Sequence, residues 1–112
     1  MILIVVKHPV RAEYADRWPS LVDAFTVATR AESGNISFEW FRSVDDPHLY
    51  LLVEAFRDAA AGRQHVESPH FQAAIAQMPQ WLSAVPEIIH VETAADGWSR
   101  MAEMQIEPER SA

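Results

Sequence analysis

Ile2 to Lys7 is a run of large apolar, mostly β-branched residues closed by His8-Pro9. Such a run predicts a strand covered on both faces, inside a sheet rather than at its edge. From Arg11 to Ala31 the period changes. Tyr14, Trp18, Leu21, Val22, Phe25 and Ala28 fall on one stripe of 3.6-residue periodicity, which predicts a helix. Glu13 and Asp16 lie in its first turns, where the helix dipole favours them. Pro19 interrupts the pattern, yet the stripe stays in phase across it. One kinked helix is therefore expected, with two separate helices as the alternative. Gly34, after Glu32-Ser33, is the expected left-handed cap.

Ile36 to Ser43 alternates, with Ile36, Phe38 and Trp40 on one face and Ser37 and Glu39 on the other. Val44-Asp45-Asp46-Pro47 is a turn. His48 to Phe56 is a second alternating strand, so the two form an antiparallel hairpin. Its faces are Leu49, Leu51, Val53 and Ala55 against Tyr50, Leu52, Glu54 and Phe56. Asp58 caps a helix reaching about Glu67. Ser68-Pro69 starts another, whose stripe is Phe71, Ile75, Met78 and Leu82. Pro79 should kink or end that helix. Val85 to Thr93 reads as a last core strand, with Ile89 and Val91 alternating against His90 and Glu92.

The order β-α-β-β-α-β predicts an α+β fold, a ferredoxin-like antiparallel sheet with its helices on one face. The expected division is a domain over residues 1–95 and a C-terminal tail over 96–112, frayed from Pro108 to Ala112. Helices on one face leave the other face bare and apolar. The tail carries Trp98, Met101, Met104 and Ile106. Both features predict a homodimer, sheet against sheet, with the tail packed on the partner or across the seam.

Composition narrows the function. The 112 residues hold 49% hydrophobic side chains, enough for one domain with one core. The net charge of −7 argues against nucleic acid and against an anionic membrane surface as partners. There are no cysteines, so disulfides, thiolate catalysis and cysteine-ligated zinc are excluded. No apolar run approaches the roughly 18 residues of a membrane span. A soluble, cytoplasmic protein is expected.

The candidate chemistry gathers at the junction from Glu54 to Phe71. His65 is the candidate general base, since an imidazole near neutrality can take a proton, or else a helix histidine hydrogen-bonded for structure. Glu54 stands on an otherwise apolar strand face, where a carboxylate costs energy unless paired. It either supports His65, holds a substrate hydroxyl, or pairs with Arg42 or Arg57. Phe38, Trp40 and Phe56 are candidate walls of a flat ring pocket, or plain core. Asn35 is a candidate ligand for a substrate oxygen, or turn chemistry beside Gly34. His70, in the first turn of its helix, and Phe71 beside it complete the candidate substrate contacts, with surface exposure the competing reading for His70. His65 and His70 lack the i, i+4 spacing of a helical metal pair. His90 and Glu92 share a strand face without a visible third ligand, so no metal site is expected.

Glu32-x-Gly34-Asn35, the Asp45-Asp46-Pro47 turn, Tyr50 with Glu54-x-Phe56-x-Asp58, and His65-x-x-Ser68-x-His70-Phe71 occur in this order. At these spacings they resemble the antibiotic biosynthesis monooxygenase family, including its quinol monooxygenases, over roughly residues 2 to 93. The resemblance implies a dimeric α+β barrel. It also implies oxygenation of a phenolic or quinol ring by O₂ without flavin, metal or haem, and it marks His65 as a family feature. The haem-degrading members use an Asn on the first strand, where this chain offers Lys7 and His8. Two other readings stay open on the same residues: a dimeric, non-catalytic binding module for an aromatic small molecule, and a small-carbonyl isomerase using the same base without O₂.

Overall fold

The β-branched start forms β1 (Ile2–Pro9) at the centre of the sheet in a computed structural model that describes residues 1–109. Three short helices follow: α1 (Ala12–Ala15), α2 (Trp18–Leu21) and α3 (Asp23–Arg30). The hairpin is β2 (Asn35–Arg42) and β3 (Leu49–Phe56). Then come α4 (Ala59–Glu67), α5 (Pro69–Gln77), a 3₁₀ turn at Met78–Gln80, and β4 (Glu87–Glu92). The sheet order is β2-β3-β1-β4, with every pair antiparallel. This is the ferredoxin-like α+β arrangement that the element order predicted.

Register decides which side chains meet the helices. Ile4 pairs with Glu54, Val6 with Leu52 and His8 with Tyr50 across β1–β3, while Ile4 pairs with His90 and Val6 with Ile88 across β1–β4. All of these lie on the helix-facing side. The opposite face is bare in the single chain: Ile89 and Val91 on β4 and Phe41 on β2 are exposed, and Leu3, Val5, Leu51 and Val53 are only half-buried. β1 is thus interior, as expected, but fully covered on one face only.

Four expectations need correction. The first helix is broken into segments rather than kinked, because Pro19 has no N–H to give the Ala15 carbonyl. That buried carbonyl instead accepts from the Tyr50 hydroxyl at 2.8 Å. The stripe survives the break, and Trp18 and Val22 are buried. Gly34 is not a left-handed cap, since the positive-φ glycine among the described residues is Gly97. Gly34 is needed because a Cβ there would overlap the Ala61 side chain and lie 3.3 Å from its Cα. Ile36 does not share a face with Phe38 and Trp40. Asn35 pairs with Phe56 and Ser37 with Ala55, so Ile36 is the extra residue of a β-bulge and is exposed. Finally, the last strand is not a core strand. β4 is an edge with one neighbour, exposed at every residue.

The other local expectations hold. Asp58 caps α4 by accepting from the Ala61 N–H, and Ser68 caps α5 with Pro69 in its first turn. Pro79 ends α5 in a 3₁₀ turn. Asp46 accepts from the His48 N–H in the hairpin turn. Trp98, Met101, Met104 and Ile106 of the tail are exposed and belong to no helix or strand. The frayed end expected from Pro108 on falls partly at Arg110, Ser111 and Ala112, outside the described residues.

The core has two parts. One is Ile2, Ile4, Phe56 and Ala61, where α4 crosses the sheet. The other centres on Trp18, Val22, Tyr50, Met78 and Leu82, where α2, α3 and the end of α5 meet.

Candidate functional site

A cavity of about 620 Å³ lies between the helix-facing side of the sheet and helices α4 and α5. That size suits a drug-sized ring ligand. Ile4, Val6 and Leu52 line its sheet side, and Phe71 and Met78 its helix side. Its polar lining includes Glu54 and His65 together, His8, and His90.

His65 is placed by the two caps. The Asp58 cap starts α4 so that His65 falls two turns later, facing the sheet. The Ser68 hydroxyl accepts from the Phe71 N–H and donates to the His65 carbonyl at 2.5 Å, tying the two helices at the imidazole. The ring is 3% exposed, which puts it in the core despite its polarity. Phe56 lies 4.7 Å away, Phe71 meets it edge-on at 5.1 Å, and Phe25 stacks on it at 5.8 Å.

The residue that completes the site is Glu32, whose place in the sequence, at the head of Glu32-x-Gly34-Asn35, signals only a turn. Its Oε2 sits 2.8 Å from His65 Nδ1 and 2.5 Å from His70 Nε2. A carboxylate only accepts, so both imidazoles donate to it. His65 is thereby fixed with its proton on Nδ1 and its lone pair on Nε2. Glu54 Oε1 lies on that side at 3.7 Å, close but beyond a hydrogen bond.

Burial shapes the protonation of Glu54, His65 and His8. Glu54 is pushed up to about 8 by desolvation and then by the charge of Glu32. His65 is lowered by desolvation, against the opposing hydrogen bond and charge of Glu32, with His70 adding to the lowering. His8 falls to about 4 by desolvation, with the Val6 carbonyl opposing. Near neutrality the cavity therefore presents an uncharged carboxylic acid, an uncharged base and a second uncharged imidazole.

The other expected site residues divide. Phe71 lines the cavity. Phe56 and Phe38 are buried behind it, with Phe38 edge-on to Phe25 at 5.3 Å. Trp40 donates through Nε1 to the Thr26 hydroxyl at 2.9 Å and meets His8 edge-on at 4.8 Å. Asn35 uses its amide on the Ser37 and Ala55 carbonyls, which secures the bulge. His70 is half-buried through Glu32 rather than exposed. Glu54 has neither arginine considered for it: Arg42 pairs with Asp16 at 2.8 Å and Arg57 with Asp58 at 3.5 Å.

No local pattern marks Glu32, because it reaches His65 across 33 residues of sequence. Its signal was the neighbouring Gly34, whose missing Cβ lets the loop approach α4. His8 was legible only as the fourth member of the alternation Ile2, Ile4, Val6. Glu32, His65 and His70 also offer three donor atoms within 4.8 Å of one another, a set that suits zinc or iron. His90 and Glu92, the pair weighed from sequence, are not part of it.

The model of the family described as "Antibiotic biosynthesis monooxygenase" matches residues 1–77. The chain is 28% identical over 92 residues to "Putative monooxygenase YcnE" of Bacillus subtilis, covering 82% of this chain and 97% of that protein. It is 29% identical over 82 residues to "Putative monooxygenase Rv0793" of Mycobacterium tuberculosis, covering 73% and 80%. The solved structure of Rv0793 superposes with a TM-score of 0.77 at 24% identity over 87% of this chain and 98% of that one. A structure from Deinococcus radiodurans, titled as an antibiotic biosynthesis monooxygenase of putative status, gives 0.78 at 21% identity over 91% and 100%. At those identities the structural matches establish the fold alone.

Proposed function

The chain belongs to the antibiotic biosynthesis monooxygenase family, and from that premise we propose that it oxygenates a phenolic or quinol-type ring with O₂, without a cofactor and with His65 as general base. The observation that carries this reading is the Glu32–His65 hydrogen bond beside the apolar cavity. It leaves the Nε2 lone pair as a fixed proton acceptor where a ring hydroxyl would lie.

His65 Nε2 takes the phenolic proton, and Glu32 stabilises the imidazolium that results. The apolar walls favour a charge spread over the ring rather than held on one oxygen. The electron-rich anion gives an electron pair to O₂ at a free ring carbon, forming a carbon–oxygen bond and a hydroperoxide. Loss of water from that hydroperoxide, with the ring hydrogen leaving as a proton, gives the quinone. One oxygen atom enters the ring, the other leaves as water, and the substrate supplies all the electrons. Glu54, protonated near pH 7 through its raised pKa, is placed to give a proton to the departing oxygen.

The active form in this proposal is a cytoplasmic homodimer, with the bare sheet faces apposed and the tail on the partner. The exposed Phe41, Ile89 and Val91 support that packing.

Oxygen uptake by metal-stripped protein, against reduced naphthols, anthrones and hydroquinones, is the test. Uptake that EDTA leaves intact and that His65→Ala lowers by roughly 10²–10⁴-fold is expected. Uptake that needs added zinc or iron would move the chemistry to the Glu32–His65–His70 donor set. Saturable binding with no uptake would leave a binding module.

A further inference from the structure

His8 is as deeply buried as His65, at 4% exposure, yet it has no carboxylate beside it. Its Nδ1 has no hydrogen-bond partner. Nδ1 itself is sealed from the cavity, so a ligand there would meet the ring's other nitrogen, Nε2. Its surroundings are aromatic, with Trp40 at 4.8 Å and Trp18 at 5.7 Å. Trp18 Nε1, in the ring beside it, is also without a partner. His8 lines the same cavity as His65 and Glu54.

The register fixes how far apart these two polar regions are. Glu54 stands opposite Ile4, and His8 lies four residues further along β1 on the same face. At about 3.3 Å per residue the two rows are roughly 13 Å apart along the strand. Between them lies the wholly apolar row of Val6, Leu52 and Ile88. The cavity thus has a polar group towards each end and an apolar middle. A single benzene ring with one hydroxyl at His65 would leave the His8 end unfilled, whereas two or three fused rings would reach it.

We propose that His8 is a specificity-determining residue that hydrogen-bonds a second oxygen substituent on a fused-ring ligand, at the end opposite the hydroxyl that faces His65. A hydroxyl there donates and accepts, so it suits either tautomer of the imidazole. The inference rests on the cavity being the ring-binding site. It does not need the ligand to react.

Binding of 2,6-dihydroxyanthraquinone and of 2-hydroxyanthraquinone tests it. Both are already oxidised, so turnover does not enter the readout. Wild type should bind the dihydroxy compound roughly ten-fold more tightly, the scale of one hydrogen bond in a dry site. His8→Phe keeps the ring volume and removes both nitrogens. It should abolish that preference by weakening the dihydroxy ligand alone. His8→Gln, which restores a hydrogen-bonding group, should recover part of it. Equal binding of the two quinones by wild type, or equal weakening of both by His8→Phe, overturns the role of His8 and leaves the cavity reading standing. No saturable binding of either quinone by wild type overturns both.

Discussion

Two histidines, 3% and 4% exposed, open on one cavity and are held in opposite ways. His65 is clamped by Glu32, backed by Glu54 and tied to the Ser68 cap. His8 is enclosed by Trp18 and Trp40 and has no charged neighbour among the hydrogen bonds and ion pairs of the described residues. Burial lowers the pKa of both, but only at His65 does a carboxylate oppose it. A base needs a partner that stabilises its protonated form, and an uncharged hydrogen-bonding group does not. On the proposed reading, the same residue type, equally buried, serves proton transfer at one end and recognition at the other.

Removing the carboxylate from the His65 end should break this contrast most sharply. Glu32→Gln keeps the shape but can no longer favour the imidazolium. Its amide can also donate to the ring, which frees His65 to take the other tautomer. Turnover should fall by roughly 10²-fold or more, with ligand affinity changed by only a few fold. Nitrogen NMR of the His65 ring should show the Nδ1–H form in the wild type and a mixture in the variant. A variant with unchanged turnover would remove Glu32, and with it the fixed lone pair, from the mechanism.

Stability against pH compares the ends by sign. His8 has its folded pKa depressed from 6.5 to about 4, so the unfolded chain binds the extra proton first. Its neutral form therefore favours folding above pH 6.5, and that contribution is lost as pH falls from 6.5 towards 4. The full change is roughly 3 kcal/mol. Glu54 works the other way. Its folded pKa is raised from 4.5 to about 8, so stability is lost as pH rises across that window, by on the order of 5 kcal/mol. Between about pH 4.5 and 6.5 the two slopes oppose each other, and the lowered His65 adds to the His8 side. Melting temperatures of His8→Phe relative to wild type should therefore rise as pH falls below 6.5. Those of Glu54→Gln should rise relative to wild type as pH climbs from 4.5 to 8. Parallel curves for either variant would mean that its group titrates alike in the folded and unfolded chains.

The difference between the ends also explains what the sequence could disclose. The order of elements along the chain, the hairpin, both helix caps and the roles offered to Glu54 and His65 rest on local patterns: alternation, Asp58 and Ser68-Pro69 as start signals, and one carboxylate on an apolar face. Glu32 acts through a loop-to-helix approach that no periodicity encodes. The break at Pro19 became a segment boundary because Tyr50, from another element, takes the freed Ala15 carbonyl. The edge position of β4 was hidden for a similar reason, since its Ile88, Ile89 and Val91 are residues a core strand also carries and only topology places them at the edge. Phe38 and Phe56 were identified as large and apolar, but whether such a ring lines a cavity or stands behind its wall depends on tertiary packing.

That approach is itself testable at Gly34. Adding one methyl in Gly34→Ala drives it into the Ala61 side chain, which sits on the capped first turn of α4 and has no flexible end to move aside. The cost should be about 1–3 kcal/mol in denaturant unfolding. Because the same loop carries Glu32, turnover should fall further than the stability loss accounts for. A variant that is destabilised but turns over normally would show that Glu32 does not depend on this contact.

The smallest effect should come from Ser68→Ala. The hydroxyl does two things at the His65 end: it accepts from the Phe71 N–H to start α5, and it donates to the His65 carbonyl. Loss of the cap should cost about 1 kcal/mol. The His8 end contains no cap, so binding contributions made there should be untouched. The ratio of affinities for 2,6-dihydroxyanthraquinone and 2-hydroxyanthraquinone should match wild type, while turnover drops a few fold as His65 loosens. If the affinity ratio moved with turnover, the two ends would be mechanically coupled through α5, and the division between a proton-transfer end and a recognition end would have to give way to a single responsive site.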